Sequence, residues 1–297
     1  MPQESKKDRR DLARELAREM REQEKKRRRR NRILVQVGVV LGAVAVAAII
    51  ALVVTSSIKP PAAGPLNMAS DGILLKGDGT GEIVAVPTSA TPADGKPTPT
   101  DQTKYPSTVN IVLYVDYLCP ICGAFEATNA EQIGTWVSQG MATVEYHPIS
   151  ILDSRSLGTK YSTRSAAAAA CVANYEPDAF FQVSTALFAN QPEENTEGLT
   201  GEELSSIIAQ AGVTDVKVTS CIKDGTFEDW VTQATDRTNT GPIPNSKLDR
   251  IGGTPTVIVN GQQYPGAIDD AAAFASFVGG IAATITPAPA ETGTPTP

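Results

Sequence analysis

The chain has 297 residues, which is enough for one or two domains with a hydrophobic core. Residues 1–32 carry 14 Lys or Arg against 7 Asp or Glu, whereas the rest of the chain carries 12 against 26. An acidic body with one basic end argues against nucleic-acid binding by the main domain.

An apolar segment near the N-terminus predicts a membrane anchor. Residues 33–55 contain no charged side chain and are long enough to cross a hydrocarbon core of about 30 Å as a helix. TSSIKPP follows this segment instead of a small-residue cleavage site, which favours an uncleaved anchor over a cleaved signal peptide. Because the basic residues precede the segment, the positive-inside rule places residues 1–32 in the cytoplasm and the remaining chain outside.

The next stretch, residues 56–105, is predicted to be an extracytoplasmic linker with a short hairpin. GILLKGDGTGEIVAV indicates two short strands around a Gly-Asp-Gly turn. PTSATPADGKPTPTDQTKYP is rich in Pro, Thr and Ala, and is typical of a spacer that buries little apolar surface. The C-terminal residues 286–297 have the same composition, which predicts a disordered tail.

Two of the four cysteines lie where a predicted strand meets a predicted helix. VNIVLYVDYL is rich in β-branched residues, and the segment after it has the pattern of a helix that ends near Gly140. Pro120 suits the first helical position, where its missing N–H costs nothing. Cys119 is therefore expected to be the N-cap residue of the helix, with Cys122 one turn later.

This placement favours redox chemistry over a metal site or a structural staple. A helix N-terminus stabilises the Cys119 thiolate, and Cys122 lies close enough to resolve a mixed disulfide. Zinc would need a second close cysteine pair, but Cys171 and Cys221 are 50 residues apart and the chain has one histidine, His147. No metal is expected. An inert disulfide across four residues would constrain little of the unfolded chain.

The stretch DYLCPICGAFE resembles the active site of the DsbA-like branch of the thioredoxin superfamily. Two further segments, GGTPTVIVNGQQYPGA and SAAAAACVANYEPDAFFQVSTALFANQ, resemble the family's later strand region and its helical insertion. The resemblance covers residues 106–285. It implies an α/β class thioredoxin fold with an inserted helical subdomain at about 160–245, preceded by the single transmembrane helix.

The resemblance also implies a substrate-binding element at Thr254 and Pro255. In the family this proline is cis and faces the redox cysteines, so that the backbone of Thr254 is free to pair with an extended substrate. An ordinary turn proline is the alternative. Asp116 matches the family motif, where it would influence proton transfer or serve as an exposed cap or turn residue.

Two departures from the family pattern are informative. Ile121 stands where the best-known oxidants have His, so Cys119 is expected to be less acidic and the protein a milder oxidant. Leu113 stands where many members bury an acid. In the predicted insertion, Cys171 and Cys221 are interpreted as a structural disulfide that joins two helices, with a second redox relay as the alternative. A hydrolase pair of His147 with Cys119 is disfavoured because His147 is expected at a strand end.

The predicted function is a thiol–disulfide oxidoreductase tethered to the membrane of a bacterial cell envelope. It would oxidise exported proteins with free thiols and would need no bound cofactor. The resemblance implies reoxidation by a quinone-linked membrane partner. An isomerase or reductase is the alternative with the same chemistry, and a non-catalytic binding module with a thioredoxin fold is the alternative from another class.

Overall fold

The computed structural model describes residues 6–57, 63–93 and 95–285, and the chain divides into two units, Met1–Lys59 and Pro60–Pro297. The first unit contains one continuous helix, α1 (Lys6–Ser57). Its portion Arg18–Ile50 is the one stretch, among the described residues, that is long and apolar enough to cross a membrane. The predicted tail, residues 286–297, lies outside the described residues.

The second unit is built on a six-stranded mixed sheet. β3 and β4 are parallel, while all other neighbouring strands are antiparallel, in the order β2-β1-β4-β3-β5-β6. The central strand β3 pairs with β4 on one side and with β5 on the other. The strands are β1 (Ile73–Gly77), β2 (Ile83–Ala85), β3 (Val109–Val115), β4 (Ala142–Pro148), β5 (Thr256–Val259) and β6 (Gln262–Gln263).

Seven helices accompany this sheet in the described part of the second unit. One connects the parallel strands β3 and β4, five form an insertion between β4 and β5, and the last follows β6. This order agrees with the α/β sequence prediction. The helices are α2 (Pro120–Ser138), α3 (Tyr161–Tyr175), α4 (Phe180–Ala189), α5 (Gly201–Gln210), α6 (Val216–Lys223), α7 (Glu228–Thr240) and α8 (Ala271–Ala282).

The segment before β3 differs from the predicted linker. The hairpin β1–β2 joins the sheet, because Ile73, Leu74 and Leu75 pair with β4. The Pro- and Thr-rich residues after the hairpin are also held, mainly by hydrogen bonds: Thr98 N donates to the Ala69 carbonyl at 2.7 Å, and the Thr100 hydroxyl donates to Glu145 at 2.8 Å. Composition identified the low apolar content, but it could not show that these polar groups find partners on the folded domain.

The core lies on both faces of β3, whose seven residues are all buried. Ile111, Leu113 and Val115 belong to the large cluster shared with α2, α8 and the helical insertion, whereas Val112 and Tyr114 belong to a smaller cluster on the opposite face. A strand buried on both faces is a rigid support. The residues that follow its carboxyl end are therefore held in a fixed position.

Candidate active site

The site begins where β3 turns into α2. Cys119 is the N-cap residue of α2, with Pro120 in the first helical turn, as the sequence predicted. The Cys119 N–H donates to the Asp116 carbonyl at 2.9 Å, and its own carbonyl accepts from Gly123 N at 3.1 Å as the helix starts. The N–H groups of the first turn have no acceptor within the helix, so the positive end of the helix dipole lies next to Cys119.

The two cysteines of this turn are free thiols in unequal environments. Cys119 is 5% exposed and Cys122 is 1% exposed. The Cys122 thiol as hydrogen-bond donor, the Thr254 side chain and the backbone N–H groups of Cys122 and Ile121 lower the pKa of Cys119 to about 6, against the opposing effect of burial. Burial raises the pKa of Cys122 well above its ordinary value, and the neighbouring Cys119 adds to this effect.

The loop before β5 lies against Cys119. The Thr254–Pro255 peptide bond is cis, and the Cys119 thiol donates to the Thr254 carbonyl at 3.2 Å. The Thr254 hydroxyl is buried and makes no hydrogen bond of normal geometry among the described residues. It nevertheless contributes to the low pKa of Cys119. A hydroxyl without a partner beside a thiol gains an acceptor when the thiol becomes a thiolate, which reconciles the two observations.

Asp116 occupies a position that the sequence analysis described incompletely. The expected exposed cap or turn position is wrong, because Asp116 is fully buried. Its carboxylate accepts from Leu118 N and from Leu152 N, both at 2.9 Å, and thereby joins the cysteine turn to the loop after β4. Burial raises the pKa of Asp116 to about 6, and the nearby Cys119 contributes in the same direction.

The residues between the two cysteines face solvent. Pro120 is exposed, and the Ile121 side chain is 53% exposed. An exposed isoleucine beside the reactive sulfur offers apolar contact to a bound polypeptide, but it cannot donate a hydrogen bond or a charge to the thiolate. The low pKa of Cys119 therefore rests on the helix start and on neighbouring hydrogen bonds.

Two residues near the site received no role from the sequence. Gln191 donates from Nε2 to the carbonyls of Tyr117 and Cys119, both at 2.9 Å. Glu126, one helical turn after Cys122, is 2% exposed, and burial raises its pKa to about 7. The family-like ending ALFANQ pointed to the Gln191 segment, whereas nothing in the sequence distinguished Glu126 from a solvated helix residue.

The other two cysteines form a disulfide away from this turn. Cys171 on α3 and Cys221 on α6 are bonded, with their Cα atoms 5.9 Å apart, and both are buried. The disulfide joins two helices of the insertion, so neither Cys171 nor Cys221 is a free thiol. Within residues 6–57, 63–93 and 95–285, no cluster of three His, Cys, Asp or Glu side chains is arranged to hold a metal ion.

His147 is engaged elsewhere, in the second-to-last position of β4. Its Nε2 lies 3.3 Å from Glu145, its ring stacks on Tyr114 at 4.4 Å between centroids, and Gly72 lies so close that a Cβ there would be 2.5 Å from Nε2. The histidine thus helps to hold the N-terminal hairpin segment on the sheet. These contacts give no support to a hydrolase pair with Cys119.

Comparisons with known proteins agree with this geometry. The family model described as Thioredoxin matches residues 104–278. Over 138 residues the chain is 36% identical to the serine/threonine-protein kinase PknE of Mycobacterium tuberculosis. The aligned region covers 45% of this chain and 24% of the kinase. The chain therefore spans about a quarter of that relative.

Two solved structures of M. tuberculosis proteins have a fold similar to that of this chain. The reduced disulfide bond oxidoreductase DsbG of M. tuberculosis is 30% identical, with a TM-score of 0.51, over 60% of this chain and 80% of that chain. Reduced DsbA of M. tuberculosis is 26% identical, with a TM-score of 0.50, over 71% and 98%. The chain therefore belongs to the thioredoxin family, in its branch of DsbA-like thiol–disulfide oxidoreductases.

Proposed function

We propose that this oxidoreductase oxidises thiols of exported proteins through the pair Cys119 and Cys122. One observation carries the proposal: a thiol of lowered pKa at a helix start, with a buried thiol of raised pKa behind it. In the oxidising direction, Cys119 is the sulfur that the substrate attacks and later the good leaving group. In the reverse direction Cys119 is the nucleophile, and Cys122 is the resolving residue that releases a substrate from the mixed disulfide.

The exchange proceeds in two balanced steps. A substrate thiolate attacks the Cys119 sulfur of the oxidised pair, the Cys119–Cys122 bond breaks, and Cys122 leaves with the electron pair and takes up a proton. A second substrate thiolate then attacks the substrate sulfur of the mixed disulfide, and Cys119 leaves as a thiolate. The substrate dithiol has lost two electrons and two protons: the cysteine pair has gained both electrons, Cys122 has gained one proton, and the other proton has gone to solvent.

The loop at Thr254 and Pro255 is the proposed substrate-docking element. The Thr254 carbonyl lies 3.2 Å from the Cys119 sulfur, so a chain paired to this backbone would present its own cysteine to Cys119. The exposed Ile121 side chain beside the same sulfur adds apolar contact. The interaction requires no nucleic acid and no bound cofactor.

The proposed location is the outer face of a bacterial membrane. α1 supplies a single-pass anchor, and the basic residues before its apolar portion keep the N-terminus in the cytoplasm. An oxidase must also lose the electrons it accepts, and we propose a quinone-linked membrane partner for this step. The membrane anchor keeps the domain near such a partner.

The milder-oxidant hypothesis follows from the pKa of Cys119. The attacking cysteine of thioredoxin-fold proteins has a pKa that ranges from about 3.5 in a strong oxidant to about 7 in reducing thioredoxins. A Cys119 pKa of about 6 lies between them. Since a more acidic attacking cysteine stabilises the reduced form, the Cys119–Cys122 couple should be less oxidising than that of relatives with a histidine at the position of Ile121.

The test is turnover by the full chain with reduced and oxidised substrates. Refolding of a reduced secreted protein and reduction of insulin should both be lost in Cys119→Ala and retained in Lys96→Ala, a change at an exposed residue without a described active-site contact. Full activity of Cys119→Ala in both assays would sink the proposal.

An isomerase or reductase is the second candidate, because a cysteine pair of this kind supports thiol–disulfide exchange in either direction. The reduction potential of the Cys119–Cys122 couple separates the candidates, since an oxidase needs a more positive value than a reductase. A non-catalytic binding module is the third candidate, and the similarity of 138 residues to a part of kinase PknE motivates it. A couple that never turns over with any dithiol or disulfide would favour the module.

A further inference from the structure

One side chain of the helical insertion reaches into the cysteine turn. Gln191 follows α4 and lies 72 residues after Cys119 in the chain. Its Nε2 donates to the Cys119 carbonyl and to the Tyr117 carbonyl, both at 2.9 Å. A single amide group therefore bridges the carbonyls of the residues before and after Leu118, immediately before α2.

These two carbonyls control the orientation of the turn. The Cys119 carbonyl also accepts from Gly123 N at 3.1 Å, so Gln191 is its second donor. Fixing the peptide planes at Tyr117 and Cys119 fixes the direction of the N–H groups that follow, at Ile121 and Cys122. It also places donor hydrogens on carbonyl oxygens whose negative ends would otherwise oppose a nearby thiolate.

Gly123 leaves room for this amide. A Cβ at position 123 would lie 2.5 Å from the Gln191 Oε1 atom, closer than real side chains approach. Glycine is a poor residue for the first turns of a helix, because it loses more backbone entropy than alanine. The close approach of Gln191 gives a physical reason for glycine here, and it is a second observation on the same contact.

We propose that Gln191 is a positioning residue for the Cys119 sulfur, because it holds the Tyr117–Cys119 turn so that the start of α2 stabilises the Cys119 thiolate. The inference rests on the proposed role of Cys119 as the residue that forms the mixed disulfide with the substrate. It assigns a task to the helical insertion: the end of α4 acts on the redox pair through one amide group.

The first test uses Gln191→Ala in the full chain. Absorbance of the thiolate, followed against pH in the reduced protein, reports Cys119 because Cys171 and Cys221 are bonded and Cys122 titrates far higher. Loss of the amide should raise the Cys119 pKa by roughly half a unit, the share expected when one net hydrogen bond favours the charged form. Oxidation of a model dithiol at pH 6 should slow by about twofold, because Cys119 becomes a poorer leaving group.

The second variant separates positioning from stability. Gly123→Ala keeps Gln191 but displaces its amide, and alanine is the better helix former. It should raise the Cys119 pKa in the same direction as Gln191→Ala. In the double variant the two pKa shifts should not add, because the displaced group is already absent. Gln210→Ala is the matched control, because the Gln210 amide donates to the Ser206 hydroxyl on the exposed face of α5.

The outcomes separate this inference from the proposed function. An unchanged Cys119 pKa in both Gln191→Ala and Gly123→Ala would overturn the positioning role, as would fully additive shifts in the double variant. If Cys119→Ser retained wild-type turnover, the proposed role of Cys119 in the mixed disulfide would fail instead. A loss of folding stability in Gln191→Ala with no pKa shift would show a structural contact alone and would also overturn the inference.

Discussion

At the scale of single residues, the reactive site depends on contrasts between neighbours. Cys119 and Cys122 are three positions apart, yet the pKa of one is lowered and that of the other is raised. The helix start and its hydrogen bonds stabilise the outer thiolate, while burial penalises charge on the inner sulfur. Burial likewise raises the pKa of Asp116, to about 6, and the nearby Cys119 contributes in the same direction.

The lowered pKa of Cys119 predicts a pH-dependent difference between the reduced and oxidised proteins. A group with a depressed folded-state pKa contributes stability above its unfolded pKa and loses that stability as pH falls through the folded value, here about 6. The reduced form should therefore gain on the order of 2 kcal/mol relative to the oxidised form between pH 5 and pH 8. Asp116 and Glu126 titrate in both forms, so their effects largely cancel in the difference.

The measurement is urea unfolding of both redox forms at the two pH values. Cys119→Ser, which cannot form the Cys119–Cys122 disulfide, is the control: it has no thiolate at this position, so the stability of its single form should change between the two pH values as that of the oxidised unsubstituted protein does. An equal free-energy difference between the redox forms at pH 5 and pH 8 in the unsubstituted protein would contradict the prediction.

Asp116 predicts a separable pair of effects on acidity and stability. Asp116→Asn removes a negative charge near Cys119, so the pKa of Cys119 should fall, as thiolate absorbance will report. Asp116→Ala should lower the Cys119 pKa as well, and should also cost about 2–4 kcal/mol in the free energy of unfolding, because one buried and one partly buried N–H group lose their acceptor.

Asp153→Ala provides the comparison for Asp116. Its carboxylate also accepts two hydrogen bonds, from the backbone N–H and the hydroxyl of Thr163. Asp153→Ala should therefore reduce the free energy of unfolding and leave the Cys119 pKa unchanged. A rise of the Cys119 pKa in Asp116→Asn is the result that would refute the electrostatic account.

At the scale of elements, three segments meet at the cysteine turn. β3 delivers it, α2 starts from it, and the loop before β5 lies against it because β5 pairs with β3 in the register Tyr114 with Thr256. The helical insertion adds Gln191 from the end of α4. The disulfide joins α3 to α6 within the insertion, so it stabilises the insertion and not the cysteine turn itself.

Removal of this disulfide should therefore affect folding more than chemistry. Closing a loop of 50 residues contributes roughly 2–4 kcal/mol in typical cases. Cys171→Ala combined with Cys221→Ala should lower the free energy of unfolding by about that amount. The Cys119 pKa and the dithiol oxidation rate below the unfolding transition should stay unchanged. Loss of turnover in a folded double variant would instead indicate a second redox relay.

At the scale of the whole molecule, a long helix and an acidic α/β domain share one chain. The helix carries the basic residues before its apolar portion, and the domain carries the redox pair. Disulfide formation in exported proteins needs an oxidising compartment. The proposed activity therefore requires that the domain lies on the outer side of the membrane.

This arrangement predicts the topology of the protein in cells. A membrane-impermeant thiol reagent added to intact spheroplasts should label Cys119 in the reduced protein, and protease should remove the domain and leave a membrane-bound fragment. Cys119→Ser is the control for the labelling. Labelling that appears only after the membrane is permeabilised would place the domain in the cytoplasm and contradict the proposal.

Sequence patterns predicted the long apolar N-terminal segment, the strand-to-helix position of Cys119 and the order of strands and helices. These features follow from hydrophobic patterning and from the local chemistry of proline, glycine and cysteine. They did not show that residues 63–93 and 95–105 pack on the sheet, since a Pro- and Thr-rich segment finds its hydrogen-bond partners only on a folded surface.

The tertiary structure alone decided the remaining features of the site. Asp116 is buried, and Gln191 reaches the turn from 72 residues away. Burial and long-range hydrogen bonds depend on how distant segments are packed together, and a local pattern carries no information on that packing. The local sequence therefore predicts thiol–disulfide exchange, whereas the tertiary structure sets the pKa of Cys119.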